Sequence, residues 1–235
     1  DRLTPEQMKA IHVPTPLEAT LRRWILKRND VVIVGNPGDG KTHLFMRLAS
    51  ELKKVDADVV LDATAESDYE LIIKRWTAAR RRTRPFCLAI NQGPLNQLVL
   101  QHAGKVDVIE EVQRQMAQQL YYASAPKQPK GVFVVDLNLR SVLTPDIIDQ
   151  ALDNLLAEEN FESCSEYFGD ETTDGAVNRQ ALHHAQIRQR LKQLLVTAGH
   201  VGRHITMRDL QGFLSYLLFG GRTCAEMVRE PSSLS

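Results

Sequence analysis

The chain is poor in cysteine: Cys87, Cys164 and Cys224 are the only ones in 235 residues. They are odd in number and widely spaced, with no CxxC pair. The sequence therefore offers neither a disulfide framework nor a zinc-type cysteine set, and this usage predicts a reducing, cytoplasmic setting. Long apolar runs are lacking as well. Val31 to Val34 is typical of the longest, far short of the roughly 20 residues that span a bilayer. No basic stretch followed by an apolar one marks a secretory leader, and no membrane partner is expected. An excess of one charge is also missing, since Lys plus Arg is 29 and Asp plus Glu is 29. That excludes the overall basic character of a dedicated nucleic-acid-binding domain, while local contacts to DNA, direct or through partners, stay open. No repeat is evident, which excludes a solenoid. Neither Gly-x-Ser-x-Gly nor His-Glu-x-x-His occurs, so a serine-hydrolase or metalloprotease reading has no support.

What is present is an ordinary globular composition, 43% apolar and 25% charged, enough for one mid-sized domain or one domain with an appendage. Thr15, Pro16 and Glu18 read as a helix start with a capping box. Leu17, Leu21, Trp24 and Ile25 follow on one face. Val31 to Val34 is a continuous β-branched run, the pattern of a strand buried on both faces of a parallel sheet. Leu44, Leu48 and Leu52 mark the next helix. Val59 to Leu61 is a second strand, and Leu71, Ile72, Trp76 and Ala79 a helix. Phe86 to Ile90 is a third strand, a long connection follows, and Val108, Ile109, Val112, Met116 and Leu120 make another helix. Val132 to Val135 is a fourth strand. This alternation predicts an α/β fold with a doubly wound parallel sheet over residues 1–140.

From residue 141 to 235 the pattern is helical. Thr144 and Pro145 open a helix with Ile148, Ala151, Leu152, Leu155 and Leu156 on one face. Glu162 to Gly175 reads as a polar, acidic loop. Ile187, Leu191, Leu194 and Leu195 mark a further helix. Thr206, with Asp209 three residues on, caps a helix carrying Leu210, Phe213, Leu214, Leu217 and Leu218, and Gly220 and Gly221 end it. Glu230 to Ser233 reads as a linker.

One segment carries chemistry. Gly35-Asn36-Pro37-Gly38-Asp39-Gly40-Lys41-Thr42 matches G-x-x-x-x-G-K-[ST], with a buried strand before it and an apolar-faced helix after it. Glycines let such a loop wrap so that successive backbone N–H groups point inward at anionic oxygens. The following helix adds its positive end. Lys41 would neutralise the β- and γ-phosphates of ATP, the Thr42 hydroxyl would be a ligand for Mg²⁺, and His43 borders the loop. The P-loop NTPase fold is the expectation.

The inner Pro37-Gly38 makes this loop resemble that of AAA+ ATPases, and an α/β part followed by a helical, lid-like part is similar to their module. The resemblance implies ATP binding and hydrolysis with Mg²⁺, coupled to conformational change or to assembly with other subunits. An arginine can then come from a neighbouring protomer. It also implies an apolar strand ending in Asp-Glu and a later strand ending in a polar residue. Here the third strand ends in Asn91-Gln92 and the fourth in Asp136-Leu137-Asn138. An amide cannot act as general base and is a weaker Mg²⁺ ligand than a carboxylate. Two assignments follow. In one, Asn91-Gln92 is a degenerate acid pair and Asn138 the sensor residue, which chain order favours. In the other, Asp62 or Asp136 supplies the metal-side acid and Asn91 is the sensor-like amide. An acid such as Asp136 can also simply cap the next turn. The islands Ala89 to Leu95 and Arg203 to Leu210 further resemble large bacterial phage-defence ATPases, including those of phosphorothioation-dependent restriction. A nucleotide-binding switch with negligible hydrolysis is the alternative that Asn91-Gln92 supports. A small phosphotransferase ranks last, because the helical part has no arginine-dense lid.

Weaker signals remain. Arg80, Arg81, Arg82 and Arg84, with Lys74 and Arg75 before them, form a basic run. With no aromatics interleaved, it reads first as a solvated helix end. Arg140, Arg203, Arg208 and Arg222 are candidates for an arginine that meets phosphoryl charge. His43, His183, His184, His200 and His204, even with Cys164, have no zinc-site spacing.

Overall fold

Between Pro14 and Arg140 the apolar runs pair into one parallel sheet, in a computed structural model that describes residues 4–63, 68–121 and 131–229. In chain order the first elements are α1 (Pro5–Ala10), α2 (Pro16–Leu26), β1 (Asp30–Val34), α3 (Lys41–Arg47), α4 (Ala49–Lys54) and β2 (Asp58–Val60). Then come α5 (Tyr69–Arg81), β3 (Phe86–Ile90), α6 (Gln92–His102), α7 (Asp107–Tyr121) and β4 (Val132–Asp136). A 3₁₀ turn, Leu137–Leu139, closes this part. The remaining elements are α8 (Pro145–Leu155), a 3₁₀ segment (Glu158–Cys164), α9 (Ser165–Gly169), α10 (Asp174–His183), α11 (Ala185–Gly199), α12 (Met207–Phe219) and α13 (Cys224–Arg229).

The fold is α/β. The strand order is β2-β3-β1-β4, and every pairing is parallel. Residues of β1 and β3 are buried throughout, as their unbroken apolar runs require. Side chains alternate between two faces. Val32, Val34, Leu88 and Ile90 pack with Ile72, Trp76, Leu95, Leu98 and Ile109, from α5, α6 and α7. Val31, Ile33, Cys87 and Ala89 pack with Leu21, Ile25, Phe45 and Leu48, from α2, α3 and the start of α4. Helices thus cover both faces. Each fully buried Leu, Ile or Phe contributes about 1.5–3 kcal/mol.

Four local expectations are corrected. The second strand is Asp58–Val60 rather than Val59 to Leu61, and Leu61 is exposed. The connection after β3 is helix α6. Gly93 and Pro94 look like loop formers, but they occupy the first turn, where backbone N–H groups have no helical partner and proline removes nothing. The segment Glu162 to Gly175 is not a loop, because Phe161, Tyr167 and Phe168 are buried and fold it into the short helices above, with Gly175 inside α10. Thr15 precedes α2 as expected, but its side chain makes no capping hydrogen bond.

The chain divides into two compact units. One is residues 14–140. The other joins the residues up to Val13 to those from Ser141 on. In the helical unit Val13, Ile148, Leu152, Phe161, Leu210, Leu214, Leu218 and Met227 share one core. Asn154 Nδ2 donates to the His12 carbonyl at 2.7 Å. Thr206 and Asp209 form the expected capping box, and Gly220 ends α12 in the left-handed region. The reading of the cysteines as unpaired is overturned: Cys164 and Cys224 are joined in a disulfide across a sequence separation of 60. Spacing cannot reveal a pair that only the packing of α13 on the 3₁₀ segment brings together. Among the described residues no helix is long and apolar enough to cross a membrane. Glu230 to Ser233 lies outside the described residues.

Candidate functional site

The carboxyl ends of three strands lie side by side. Val34 of β1 is in register with Ile90 of β3 and with Asp136 of β4. The chain leaves β1 for α3 on one face and leaves β3 for α6 on the other. Where neighbouring strands send their connections to opposite faces, a crevice opens outside the strand ends, the usual ligand position in open α/β sheets. Gly35 to Thr42, Asn91 and Gln92, and Asp136 to Asn138 all sit at this edge.

The loop has the backbone that its glycines predict. Gly38 has φ 100° and Gly40 φ 87°, and Gly40 is the N-cap of α3. Only glycine adopts this region without strain. At Gly35 the demand is close approach: an added Cβ would lie 2.7 Å from an Asp39 carboxylate oxygen and 3.2 Å from Leu137 Cβ. Asn36 N–H donates to that carboxylate at 2.5 Å, so Asp39 is the loop's own internal anion. Lys41 begins α3, and its ammonium donates to the carbonyls of Gly35 at 3.0 Å and Asn36 at 2.9 Å. A cation in the first turn of a helix opposes the dipole by about 0.3–1 kcal/mol. An anion bound there reverses that cost. Pro37 is exposed, and His43 is partly buried in the first turn of α3.

The Thr42 hydroxyl donates to the Leu61 carbonyl at 3.0 Å. This brings the residue after the loop lysine to the end of β2, directly before Asp62. The chain then continues alongside β3, with Ala63 N–H donating to the Ala89 carbonyl at 3.0 Å. Asp136 instead serves its own turn, its carboxylate accepting Asn138 N–H at 2.9 Å. Asn91 precedes α6 at the N-cap position but makes no side-chain capping bond.

Two buried acceptors at this edge are unsatisfied. Gln92 Oε1 and Asn138 Oδ1 have no hydrogen-bond partner among the described residues. Buried polar atoms are nearly always paired, so each of these oxygens has room to accept from water or from a ligand donor. The sequence pattern names Asn138 as a sensor residue and Gln92 as half of a degenerate acid pair, but does not bring the two together as acceptors. The signal was present in the twin amides, but not the burial.

The opposite end of the sheet is different. Asp30, 4% exposed, accepts from Trp76 Nε1 at 2.8 Å, Arg80 Nε at 2.7 Å and Phe86 N–H at 2.7 Å. Arg80 also forks onto Glu111, with both bonds at 2.9 Å. Burial opposes the charged form of Arg80, but the hydrogen bonds to Glu111 and Asp30 outweigh it and hold its pKa above the ordinary arginine value.

The other candidate arginines separate. Arg222 donates to Asp174 at 2.7 Å and to the Tyr167 hydroxyl at 3.2 Å, which makes it a brace of the helical unit. Arg140 follows the 3₁₀ turn and has no acidic partner among the described residues. Desolvation lowers its pKa from the ordinary value. Arg203 is exposed and Arg208 stands in the first turn of α12. Among the described residues no three His, Cys, Asp or Glu side chains gather as a metal site. The donors present still fit Mg²⁺ of the nucleotide-borne kind, which takes one or two protein oxygens and completes its shell with phosphate and water. Thr42 offers one such oxygen, and its bond to the Leu61 carbonyl brings it next to the residue that precedes Asp62 in the chain. Compared with protein-family models, curated proteins and solved structures, the chain matches none.

Proposed function

We propose that the chain is a Mg²⁺-dependent P-loop ATPase of AAA+-like type, coupling nucleotide state to conformational change or assembly. The carrying observation is the left-handed glycine loop at the carboxyl edge of β1, leading straight into α3 with Lys41 at its first position. ATP supplies the transferable γ-phosphoryl group, and Mg²⁺ supplies charge neutralisation at its phosphates. The chain's own residues do the rest. The backbone N–H groups of Asn36 and of Gly38 to Thr42 bind phosphate oxygens, Lys41 exchanges its carbonyl partners for phosphate, and Asp39 gives up the Asn36 N–H. Thr42 and an acid hold the metal. The Thr42–Leu61 contact supports Asp62 as that acid, and the turn-capping bond of Asp136 counts against Asp136. The orphaned Gln92 Oε1 and Asn138 Oδ1 accept from the attacking water and orient it, with Asn91 beside them. Arg140 is the arginine of this unit available to phosphoryl charge. The islands at Ala89 to Leu95 and Arg203 to Leu210 support placing this activity in bacterial defence against foreign DNA.

The test is steady-state ATP hydrolysis with Mg²⁺ in the wild type and in Lys41→Ala, Asp62→Asn and Asp136→Asn. Turnover should fall at least a hundredfold in Lys41→Ala and Asp62→Asn, and by less than threefold in Asp136→Asn. The reverse order for the two acids would reject Asp62. Tight ATP binding without turnover in the wild type would favour the second reading, a nucleotide switch, which the amides Asn91-Gln92 in place of acids support.

A further inference from the structure

The basic run on α5 and just after it is two sets of residues, not one. Arg75 pairs with Asp58 at 2.5 Å, Arg80 with Asp30 at 2.7 Å, and Arg84 with Asp56 at 3.0 Å. These cations hold the unit together. Lys74, Arg81 and Arg82 are exposed and form no ion pair among the described residues. With Ile73, Thr77 and Ala78 they line a hollow of about 390 Å³. Positions 74, 77, 78 and 81 share one helical face, and Glu70, a turn earlier, is the only acid in line with them on α5. The helix dipole accounts for cations in the last turn, but Lys74 lies mid-helix and gains nothing from it.

We propose that this face of α5 binds the phosphodiester backbone of double-stranded DNA. The unpaired cations supply the sequence-independent attraction that phosphates exert. The hollow has no aromatic side chain, so it offers single strands no stacking platform. Its cations donate to phosphates and can also donate to guanine edges, but Thr77 is the single side-chain acceptor among its lining residues for a 2′-hydroxyl, which disfavours RNA. Because the chain as a whole carries no net charge, the attraction must be local to such a patch. The proposal does not rest on ATP turnover, since none of these residues belongs to the phosphate loop.

Binding of a fluorescein-labelled 20-base-pair DNA duplex to the full chain, followed by anisotropy from 50 to 200 mM salt, tests it. The variant Lys74→Gln/Arg81→Gln/Arg82→Gln should bind at least tenfold more weakly, and its log K against log salt slope should shrink by about 2.7, that is 0.9 for each lost phosphate contact. The equally charged control Arg23→Gln/Lys53→Gln/Lys54→Gln, at exposed sites on α2 and α4, should stay within twofold of wild type. Glu70→Gln should tighten binding. All positions are exposed, and circular dichroism confirms folding. The proposal is overturned if wild type does not bind the duplex at 50 mM salt, if the control loses as much as the α5 variant, or if only duplex RNA or an acidic protein is bound.

Discussion

At its amino edge the sheet is closed by Asp30, whose carboxylate meets Trp76, Arg80 and Phe86 while Arg80 reaches on to Glu111. At its carboxyl edge the same sheet ends in a loop bonded to itself, a cation at the wrong end of a helix, and two buried amide oxygens without donors among the described residues. Both edges are made of polar groups on the same strands. They differ in satisfaction. A saturated network fixes register, and removing any member exposes a buried charge. An unsatisfied edge stores binding capacity instead, because a ligand supplies what the fold withholds.

The largest effect should come from the closed edge. Asp30→Ala leaves the buried Trp76 and Phe86 N–H groups without an acceptor and Arg80 with Glu111 as its remaining partner, and should cost about 3–5 kcal/mol, measured by urea unfolding. A loss below about 1 kcal/mol would mean that the network is not the clamp inferred here. At the open edge the balance should invert. Replacing Gln92 and Asn138 by Leu removes orphaned acceptors, so stability should change by less than about 1 kcal/mol or rise, while ATP turnover falls at least tenfold. Destabilisation without loss of turnover would show that those oxygens serve the fold.

Asp39→Ala sharpens the contrast within the loop. It frees the Asn36 N–H and removes a negative charge, so ATP should bind about tenfold tighter, the worth of one charge-assisted hydrogen bond. Weaker binding would make Asp39 part of the site rather than its internal occupant. The smallest effect concerns acid. Arg80, with its raised pKa, contributes stability that is present below the ordinary arginine value and lost only as pH rises through the folded value, so the clamp is constant from pH 5 to 9. Glu51 behaves oppositely. Hydrogen bonding from Ser50, against desolvation, and pairing with Arg22 hold its pKa below the ordinary carboxylate value. Its contribution is present above that ordinary value and lost as pH falls through the depressed one. Unfolding free energy should therefore decline below about pH 4.5, and Glu51→Gln should flatten that decline by measurable tenths of a kcal/mol, roughly the worth of a partly exposed pair.

The legible features were those coded by neighbouring residues. The strands Phe86–Ile90 and Val132–Asp136, the loop at Gly35 to Thr42 and the capping box at Thr206 all follow from contiguous pattern. Helix α6 was hidden because Gly93 and Pro94 act differently in a first turn than in a helix interior. Long-range partners were not legible at all. Thr42 with Leu61, Asp30 with Arg80, and Cys164 with Cys224 are separated by 19, 50 and 60 residues. The basic run was legible as charge, but not as a division between braces and free cations. That division depends on which acids the fold brings opposite each arginine.

The most direct test is equilibrium binding of a fluorescent ATP analogue with Mg²⁺ to three folded proteins: wild type, Lys41→Ala and the Gln92→Leu/Asn138→Leu variant. Binding by wild type, at least a hundredfold weaker in Lys41→Ala yet within threefold of wild type in the double variant, is the expected result, since the proposed function assigns phosphate to the loop and water to the amides. Equal affinity of wild type and Lys41→Ala, or no binding by either, would contradict a nucleotide site at this edge of the sheet.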